Sequence, residues 1–437
     1  MQKLIFLELN EVNFNFVERY ISQGYLPSFK KFLTRHGYQT TSSEEAYENI
    51  EPWIQWVSAH SGLSFGEHKI FRLGDIVGSK VPQIWEELER KGLKVGAVSP
   101  MNAENRLKDP AFFVPDPWTR ASISGPSLLK KIYDAIRQGV RDNAEEKLTL
   151  NSKLYLLAGL LLYGQRSSYR SYFRYFARSN KRHWFSAMFL DRFLADVFIT
   201  LWKRNKPHFS TLFLNGAAHV QHHYMFNSKV YEGNRRNPDW YVPVGQDPLL
   251  DVYTLYDDIL RDIMKLGVGI RVMMATALRQ EPHEEVTYYY RLRDHAAFIK
   301  KLAIQYDEVQ PKMSRDFVIT FKSDSTCKKA EGILQQVRDV NGYNLFQVDN
   351  RGESLFVTLT YPFEMPADFT AYFGNELLGS FGREVVFVAI KNAHHDGVGY
   401  FADSGASPKD ANESFPVWKI RDEILAVFDK ARTGENS

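Results

Sequence analysis

Carboxylate, amide and imidazole side chains are concentrated in three short segments of this chain. The segments hold, in order, Glu8, Asn10, Glu11 and Asn13; His219, His222 and His223; and His394, His395 and Asp396. Such groups act as general acids and bases, bind phosphate and hydroxyl groups, and ligate ions such as zinc or manganese. The three segments are therefore the first candidates for a functional site.

Each segment stands at the end of an apolar run that predicts a strand. Leu4-Ile5-Phe6-Leu7 precedes the first segment, Phe209–Leu214 the second and Val385–Ile390 the third. Ligands of open α/β sheets bind at the carboxyl ends of the strands. We therefore expect the three segments to meet in one pocket.

Helices predicted between the strands complete the expected fold. Residues 14–33 have a helical spacing of apolar side chains interrupted by a glycine and a proline, and Pro82–Gly92 has proline near its start and glycine at its end. Leu249–Leu266 is amphipathic and precedes a further predicted strand, Ile270–Ala275. This alternation predicts an α/β fold with a mostly parallel sheet flanked by helices.

Glu51 is a candidate from outside the three segments. It precedes Pro52, which suits the first turn of a helix, and a glutamate there can be a general base, a carboxylate nucleophile or a partner of the helix dipole. The catalytic candidates are Glu51, Glu8, Asn10 and His222. The substrate-binding candidates are Glu11, Asn13, Asn215, His219, His223, Arg170 and Arg174. The candidate metal ligands, for at most one ion, are His222, His394, His395, Asp396 and Asp257.

Structural interpretations compete with these roles. A histidine of either cluster can pack in the core with a satisfied hydrogen bond, and a one-residue shift exchanges the roles of His394 and His395. The same groups can bind phosphate or sugar hydroxyls without an ion, so both no cofactor and a single zinc or manganese ion stay open. Glu281–Glu285 is predicted to be a solvated, charged loop, with a supply of ligands as the alternative.

Composition limits the class of protein. The 437 residues are 44% hydrophobic, which is enough for a large core, and a net charge of +3 is too small to indicate nucleic-acid binding. Cys327 is the only cysteine, which excludes an internal disulfide and favours a reducing compartment. No run reaches the ~20 apolar residues needed to span a bilayer. We expect a cytoplasmic protein that is at most peripheral at a membrane.

Two stretches interrupt the alternation of strands and helices. Residues 122–206 form a helical insertion that is basic and aromatic, and residues 294–381 contain a strand, a helix and a hairpin that predict a small α+β cap. The α/β core then comprises residues 1–121, 207–293 and 382–437. A cap of this kind is expected over the ligand site.

The helical insertion contains a regular series of arginines. They recur at every fourth position, which keeps them on one stripe of a helix. The series is Arg166, Arg170, Arg174, Arg178 and Arg182. This stripe either pairs with acidic residues elsewhere or binds anionic lipid headgroups or a phosphorylated substrate.

The order of these motifs resembles the alkaline phosphatase superfamily, and within it the type I phosphodiesterase and nucleotide pyrophosphatase branch. The matching segments are Asn10 with Gly24-Tyr25-Leu26-Pro27, Ser61–His68, Ile84–Val98, Leu214–His223 and His394–Gly405. They cover most of the chain outside the two insertions. Members of that family bind two zinc-like ions with aspartates and histidines and use a serine or threonine nucleophile, so the resemblance implies action on phosphoesters.

This sequence departs from the family at most ligand positions. Asn10 stands at the first aspartate, Glu51 or Pro52 at the nucleophile, Ala218 at the middle aspartate and Thr276-Ala277-Leu278 at the aspartate–histidine pair, whereas His222 keeps a ligand position. Ion affinity depends on the charge and number of ligands. A conventional two-ion site is therefore not expected.

Three functions follow from the resemblance and its departures. The first is an enzyme with a rebuilt site that hydrolyses or transfers a phosphoester, a phosphodiester or an activated sugar linked to a nucleotide or a lipid. The second is a non-catalytic protein that binds such a ligand or a partner. The third is a conventional two-metal phosphodiesterase, which the missing aspartate–histidine pair argues against.

Overall fold

The computed structural model describes residues 2–141, 149–179, 182–312, 315–408 and 410–433. The chain divides into two compact units. One consists of Met1–Pro282 with Ala393–Ser437, and the other of His283–Asn392. The predicted helical insertion lies within the first unit, and the predicted α+β cap lies within the second.

The described strands and helices of both units follow one another along the chain. In chain order the strands are β1 (Lys3–Leu9), β2 (Gln39–Ser42), β3 (Val95–Val98), β4 (Phe112–Val114), β5 (Phe209–Leu214), β6 (Ile270–Ala275), β7 (Arg279–Leu292), β8 (Glu308–Pro311), β9 (Asp316–Thr320), β10 (Val337–Arg338), β11 (Phe346–Asn350), β12 (Ser354–Leu359), β13 (Thr370–Phe373), β14 (Glu376–Ser380), β15 (Val385–Asp396), β16 (Val398–Asp403) and β17 (Ser414–Pro416). The helices are α1 (Phe14–Ser22), α2 (Pro27–His36), α3 (Pro52–Ser61), α4 (Phe65–His68), α5 (Ile84–Arg90), α6 (Ser127–Arg141), α7 (Leu150–Tyr163), α8 (Tyr169–Arg178), α9 (Trp184–Asn205), α10 (Gly216–Tyr224), α11 (Pro248–Met264), α12 (His295–Lys301), α13 (Asp324–Leu334) and α14 (Ile420–Thr433).

A mostly parallel sheet forms the centre of the first unit, as predicted. Its strand order is β17-β2-β16-β6-β1-β5-β3-β4, and β1 pairs in parallel with both β5 and β6. The strand β16 runs antiparallel to β6 and β2. Because β1, β5 and β6 are adjacent and parallel, the residues that follow them emerge at the same edge of the sheet.

The strands form because their apolar runs are buried on both faces. Every described residue of β1 from Leu4 to Leu9 is buried, and Phe6 contacts Trp56 of α3 edge to face at 6.3 Å. Trp56 also meets Phe213 of β5 at 5.7 Å between ring centroids. Aromatic burial of this kind fixes α3 against the sheet.

Several predicted elements are confirmed, with shifted ends. Phe209–Leu214 and Ile270–Ala275 are strands as predicted. The helical pattern of residues 14–33 divides into α1 and α2, because the backbone is left-handed at Gly24 and Leu26 and Pro27 then starts a new helix. The charged loop predicted at Glu281–Glu285 is wrong, since these residues belong to the long strand β7.

The second unit has its own small core. Strands β11, β12, β9 and β8 form an antiparallel sheet, and a hairpin at Asn350-Arg351-Gly352 joins β11 to β12. Helix α13 ends at Leu334, and Val337 beyond it is buried and pairs with Phe373 as part of β10. Cys327 is buried in this core.

The helical insertion differs from its prediction in one respect. Arg166 lies in a short 3-10 turn, Arg170, Arg174 and Arg178 lie on α8, and Arg182 precedes α9. The sequence between α8 and α9 includes residues 180–181, which lie outside the described ranges. Because Arg166 lies in the 3-10 turn before α8, the prediction of one helix that carries all five arginines is wrong at its start. Among the residues that the structure describes, no helix has the length and apolar character needed to cross a bilayer.

Gly399 gives a test of the central sheet. A Cβ atom at this position of β16 would lie 2.6 Å from the carbonyl oxygen of Ala277 and 2.5 Å from Oγ1 of Thr41. Because backbone cannot move aside cheaply, Gly399→Ala should lower the free energy of unfolding by about 1–3 kcal/mol. Urea unfolding followed by tryptophan fluorescence measures this change. Gly66→Ala is the control, since its Cβ would make only an ordinary contact at 3.6 Å; equal stability of the two variants would contradict the prediction.

Candidate functional site

Four predicted site residues from distant parts of the chain meet in the first unit. Glu11 follows β1, Glu51 is the N-cap residue of α3, His222 lies on α10 after β5, and His395 lies near the end of β15. We call these four residues the Glu11 cluster. They come together because β1 and β5 are parallel neighbours and because Glu51 and His395 contact each other.

The side chains of the Glu11 cluster are in direct contact. Oε2 of Glu11 lies 3.3 Å from Nε2 of His222 and 3.2 Å from Nε2 of His395. The two Nε2 atoms lie 3.1 Å apart. Nδ1 of His395 faces Oε2 of Glu51 at 3.4 Å. The histidines and Glu51 keep partial contact with solvent, whereas Glu11 is buried.

Glu11 occupies an unfavourable backbone conformation. Its φ of 60° is in the left-handed region, which side chains other than glycine rarely adopt. The conformation is imposed from both sides: the backbone N–H of Glu11 donates to the carbonyl of Thr276 at 3.2 Å, and Nε2 of Gln221 donates to the carbonyl of Glu11 at 2.8 Å. Such local strain persists where surrounding structure enforces it, and it concentrates at functional sites.

Neighbouring amides hold the carboxylate of Glu11. Nδ2 of Asn10 donates to Oε1 at 2.9 Å, and Nε2 of Gln280 donates to Oε2. Burial raises the pKa of Glu11, but the charge of His395 and the hydrogen bonds from His222 and His395 outweigh burial and lower the pKa far below its usual range. Glu11 is therefore a carboxylate that stays ionised.

His395 and Glu51 influence each other in the same way. Burial lowers the pKa of His395, but the charges on Glu11 and Glu51 raise it, and the net pKa lies above its ordinary value. Burial raises the pKa of Glu51, His395 lowers it in part and Glu11 raises it further, so that the net pKa also lies above the usual value. Glu51 is thus a carboxyl group that can hold or release a proton near its neighbours.

The donor atoms of the cluster fit one divalent ion. One ligand atom from each of Glu11, His222 and His395 lies within 4.8 Å of the others, the one such group of three found in the described part of the chain. Ligands of a tetrahedral zinc ion, with bonds of about 2.0–2.1 Å, lie roughly 3.3 Å apart. The carboxylate of Glu51 on Nδ1 of His395 is the kind of partner that orients a metal-bound imidazole.

Glu8 and Asn10, two predicted catalytic residues, have supporting contacts instead. Glu8 is completely buried, where it accepts a hydrogen bond from Oγ1 of Thr211 and pairs with Nε2 of His60 at 3.1 Å. Asn10 uses both ends of its amide, since Oδ1 accepts from Nε1 of Trp56 at 2.7 Å and Nδ2 donates to Glu11 and Asn215. The grouping of Glu8 with the histidines was wrong because strand periodicity fixes a face but not a depth in the core.

Two predicted metal ligands are also placed elsewhere. Oδ1 of Asp257 accepts from the backbone N–H groups of Ser28 and Phe29, both at 2.8 Å, at the start of α2. Asp396 pairs with Arg279 at 3.3 Å and accepts from the backbone of Val398 at 2.9 Å. These contacts make Asp257 and Asp396 supports of the backbone, which corrects their assignment to the ion.

The remaining candidates surround the cluster in sequence. Asn13 caps α1 by accepting from the backbone of Asn15, and Asn215 accepts from Asn10. The ring of His219 is exposed and contacts His223, with 4.9 Å between centroids. Their roles as substrate-binding residues remain predictions.

His395 lies in the Glu11 cluster, and the arginines have local contacts. His395 makes the contacts with Glu11, Glu51 and His222 that are described above. Arg170 is exposed on α8, and the guanidinium of Arg174 lies 5.2 Å from the ring centroid of Tyr175. Substrate binding by Arg170 and Arg174 stays a prediction.

Three residues that hold the site were missed. Gln221 and Gln280 bind Glu11, and Trp56 binds Asn10. Gln280 follows β6 at the edge where the other candidates gather, which was an available signal. The roles of Gln221 and Trp56 depend on helix orientation and could not be inferred from residue type.

Comparison with known proteins identifies structures but no close relatives. No family model and no curated protein match the sequence. The chain is similar to phosphonoacetate hydrolase from Sinorhizobium meliloti in complex with phosphonoformate, with a TM-score of 0.47 and 12% identity over 97% of this chain and 95% of that chain. It is also similar to murine ectonucleotide pyrophosphatase/phosphodiesterase 5, with a TM-score of 0.41 and 10% identity over 98% of this chain and 95% of that chain. For alkaline phosphatase PafA the TM-score is 0.41 and the identity 11%, over 98% of this chain and 96% of that chain.

All three structures belong to the superfamily that the motif order resembles. Their TM-scores and identities are low. They carry no conclusion about the reaction of this chain, which has to be argued from its own side chains.

The contrast between Glu8 and the Glu11 cluster can be tested through stability. His60→Ala leaves the buried carboxylate of Glu8 without its imidazole partner, so it should lower the free energy of unfolding by about 3–5 kcal/mol. Glu8→Gln keeps a group that can form hydrogen bonds to both His60 and Thr211. It should therefore lower the free energy of unfolding clearly less than His60→Ala does. Urea unfolding of both variants measures the difference. Wild-type stability of His60→Ala would contradict a structural role for this pair.

Proposed function

We propose that this chain is an enzyme that acts on a phosphoester or phosphodiester at the Glu11 cluster, with one divalent ion held by Glu11, His222 and His395. The observation that carries the proposal is the convergence of these three ligand atoms at separations of 3.1, 3.2 and 3.3 Å. A strained, ionised carboxylate beside two imidazoles is costly to keep in a protein without a use.

Glu51 is the proposed catalytic acid or base. Its side chain is about one-third exposed, it contacts His395 and its pKa is raised. Groups with a raised pKa next to charged partners are typical of proton transfer in active sites. In this role Glu51 gives a proton to, or takes one from, an oxygen of the substrate, and its contact orients the ring of His395.

The start of α3 supports an anionic substrate. Glu51 makes no side-chain capping hydrogen bond to this helix, and Pro52 follows it in the first turn. A helix of ten residues that begins in this way presents the positive end of its dipole, which favours a phosphate group. A divalent ion in the cluster would act as a Lewis acid toward a phosphoryl oxygen.

The proposed reaction includes both hydrolysis and transfer to an acceptor other than water. It also includes more than one group attached to the phosphate. Activated sugars linked to a nucleotide or a lipid are included because the nucleophile position of the resembled family carries no hydroxyl here. The substrate-binding candidates Asn215, His219 and His223 belong to the same segment as His222 and are assigned to this group.

Metal binding gives the first test. Titration of the metal-free protein with zinc or manganese, followed by calorimetry, should show one equivalent bound per chain. His222→Ala, His395→Ala and Glu11→Gln should each weaken binding by more than about a hundredfold, because each removes one of few ligands.

His394→Ala is the matched control for the metal titration, because it changes a neighbouring imidazole that makes none of the cluster contacts described above. It should bind the ion as the wild type does. Loss of binding in His394→Ala alone, or no binding by the wild type, would contradict the proposed ligand set. Binding of two equivalents of the ion per chain would instead support the conventional two-metal phosphodiesterase.

Turnover gives the second test. Glu51→Gln should lower kcat for bis-para-nitrophenyl phosphate by about a hundredfold or more when the protein is saturated with the ion, as loss of an acid or base does. Glu48→Gln, an exposed glutamate of the same loop, should keep the wild-type rate.

A panel of further substrates distinguishes an enzyme from a binding protein. Ligand-dependent thermal stabilisation with no product, for phosphodiesters, phosphomonoesters and sugar nucleotides alike, would replace the proposed enzyme by the non-catalytic alternative. Equal turnover by Glu51→Gln and the wild type would reject Glu51 as acid or base.

A further inference from the structure

An apolar row on α7 is turned toward solvent. Leu150, Leu154, Leu157 and Leu161 follow each other at spacings of four, three and four residues, which places them on one face. All four are exposed, and Leu150 and Leu161 are 74% and 68% accessible. The opposite face holds α7 in the protein, since a Cβ on Gly159 would lie 2.8 Å from Phe193 of α9.

The following helix extends the apolar surface. Phe173 and Phe176 of α8 are 76% and 78% exposed, whereas Tyr172 and Tyr175 of the same helix are buried. Tyr169 starts α8, is itself exposed, and donates a hydrogen bond to the carbonyl of Leu160 at 3.1 Å. This contact joins α8 to the end of α7.

These side chains are an unusual concentration for the chain. Of twenty exposed large apolar side chains among the described residues, eight lie between Leu150 and Phe176. Contiguous apolar surface of this kind marks a site of interaction with protein or membrane.

The charge of the same segment indicates which kind of partner covers this apolar surface. Residues 149–179 contain five basic side chains and no aspartate or glutamate. The basic residues are Lys153, Arg166, Arg170, Arg174 and Arg178, all of them exposed. Further cations border α7: Nζ of Lys131 lies 5.5 Å from the ring centroid of Tyr155, and Arg204 donates to the carbonyl of Leu162 at 3.4 Å.

A second copy of the chain is a poor complement to this surface. A symmetric dimer would bring five cations against the same five cations. A bilayer with anionic lipids supplies both an apolar layer and negative headgroups, and α7, with 14 residues, is too short to cross it.

We propose that this chain docks on an anionic lipid bilayer through α7 and α8. Helix α7 lies in the plane of the interface with its leucine row in the acyl region, and the arginines of α8 bind headgroup phosphates. Phe173, Phe176 and Tyr169 occupy the boundary between headgroups and acyl chains. This surface is independent of the Glu11 cluster.

Flotation of the full chain with vesicles tests the proposal. At low salt the wild type should float with equimolar phosphatidylcholine and phosphatidylglycerol, and at least about tenfold less with phosphatidylcholine alone. The triple variant Leu154→Gln/Leu157→Gln/Leu161→Gln should reduce flotation on the anionic vesicles by about tenfold or more. Arg170→Gln/Arg178→Gln should reduce it by roughly fivefold for each arginine.

Matched controls are exposed residues in the second unit. Leu377→Gln and Arg383→Gln remove the same types of side chain and should float as the wild type does. The wild type remaining unbound at low salt would overturn the proposal. A dimer seen by light scattering and lost in the triple leucine variant, without flotation, would assign the surface to a second copy and would also overturn it. Thermal unfolding checks that every variant is folded.

Discussion

A carboxylate removed from water must be compensated by its neighbours, and Glu11 imposes this requirement on one edge of the sheet. The compensating groups come from the strand tip itself, from α10, from the start of β7 and from the end of β15. These elements are far apart in the sequence. The parallel pairing of β1 with β5 and β6 brings the strand tip, α10 and the start of β7 to a common edge, and β15 pairs with β7. The left-handed backbone at Glu11 turns the carboxylate toward those groups, so backbone strain and electrostatic compensation support each other.

The neutral amide at position 10 fits this arrangement better than a carboxylate would. Asn10 accepts from Trp56 and donates to both Glu11 and Asn215, which requires a donor and an acceptor on one side chain. An aspartate there would lose both donated bonds and would place a second negative charge beside Glu11. The anionic group is that of the next residue, Glu11, and Asn10 holds it in place.

The sequence predicts the elements of this site better than the choice of side chains within them. Apolar runs locate β1, β5 and β6 because burial on both faces leaves a clear composition signal. The period of a strand indicates which residues share a face, but Glu8 is buried against His60 while Glu11, beyond the strand, reaches the cluster. No periodicity can indicate a left-handed residue. Whether His394 or His395 faces the cluster likewise depends on the register of β15, because a shift of one residue turns the opposite set of side chains toward the cluster.

Charge balance narrows the substrate that this site would accept. If one divalent ion binds at Glu11, His222 and His395, an ionised Glu11 and two neutral imidazoles leave a single positive charge on this ligand set. A phosphodiester carries one negative charge and would neutralise the site, whereas a phosphomonoester carries nearly two near neutral pH and would leave an excess buried next to Glu11. Sites with two ions and more carboxylates tolerate the dianion because each added ion brings two positive charges. With one ion at this ligand set, the proposed site should therefore prefer the diester, which ties the composition of the cluster to the class of phosphate it can hold.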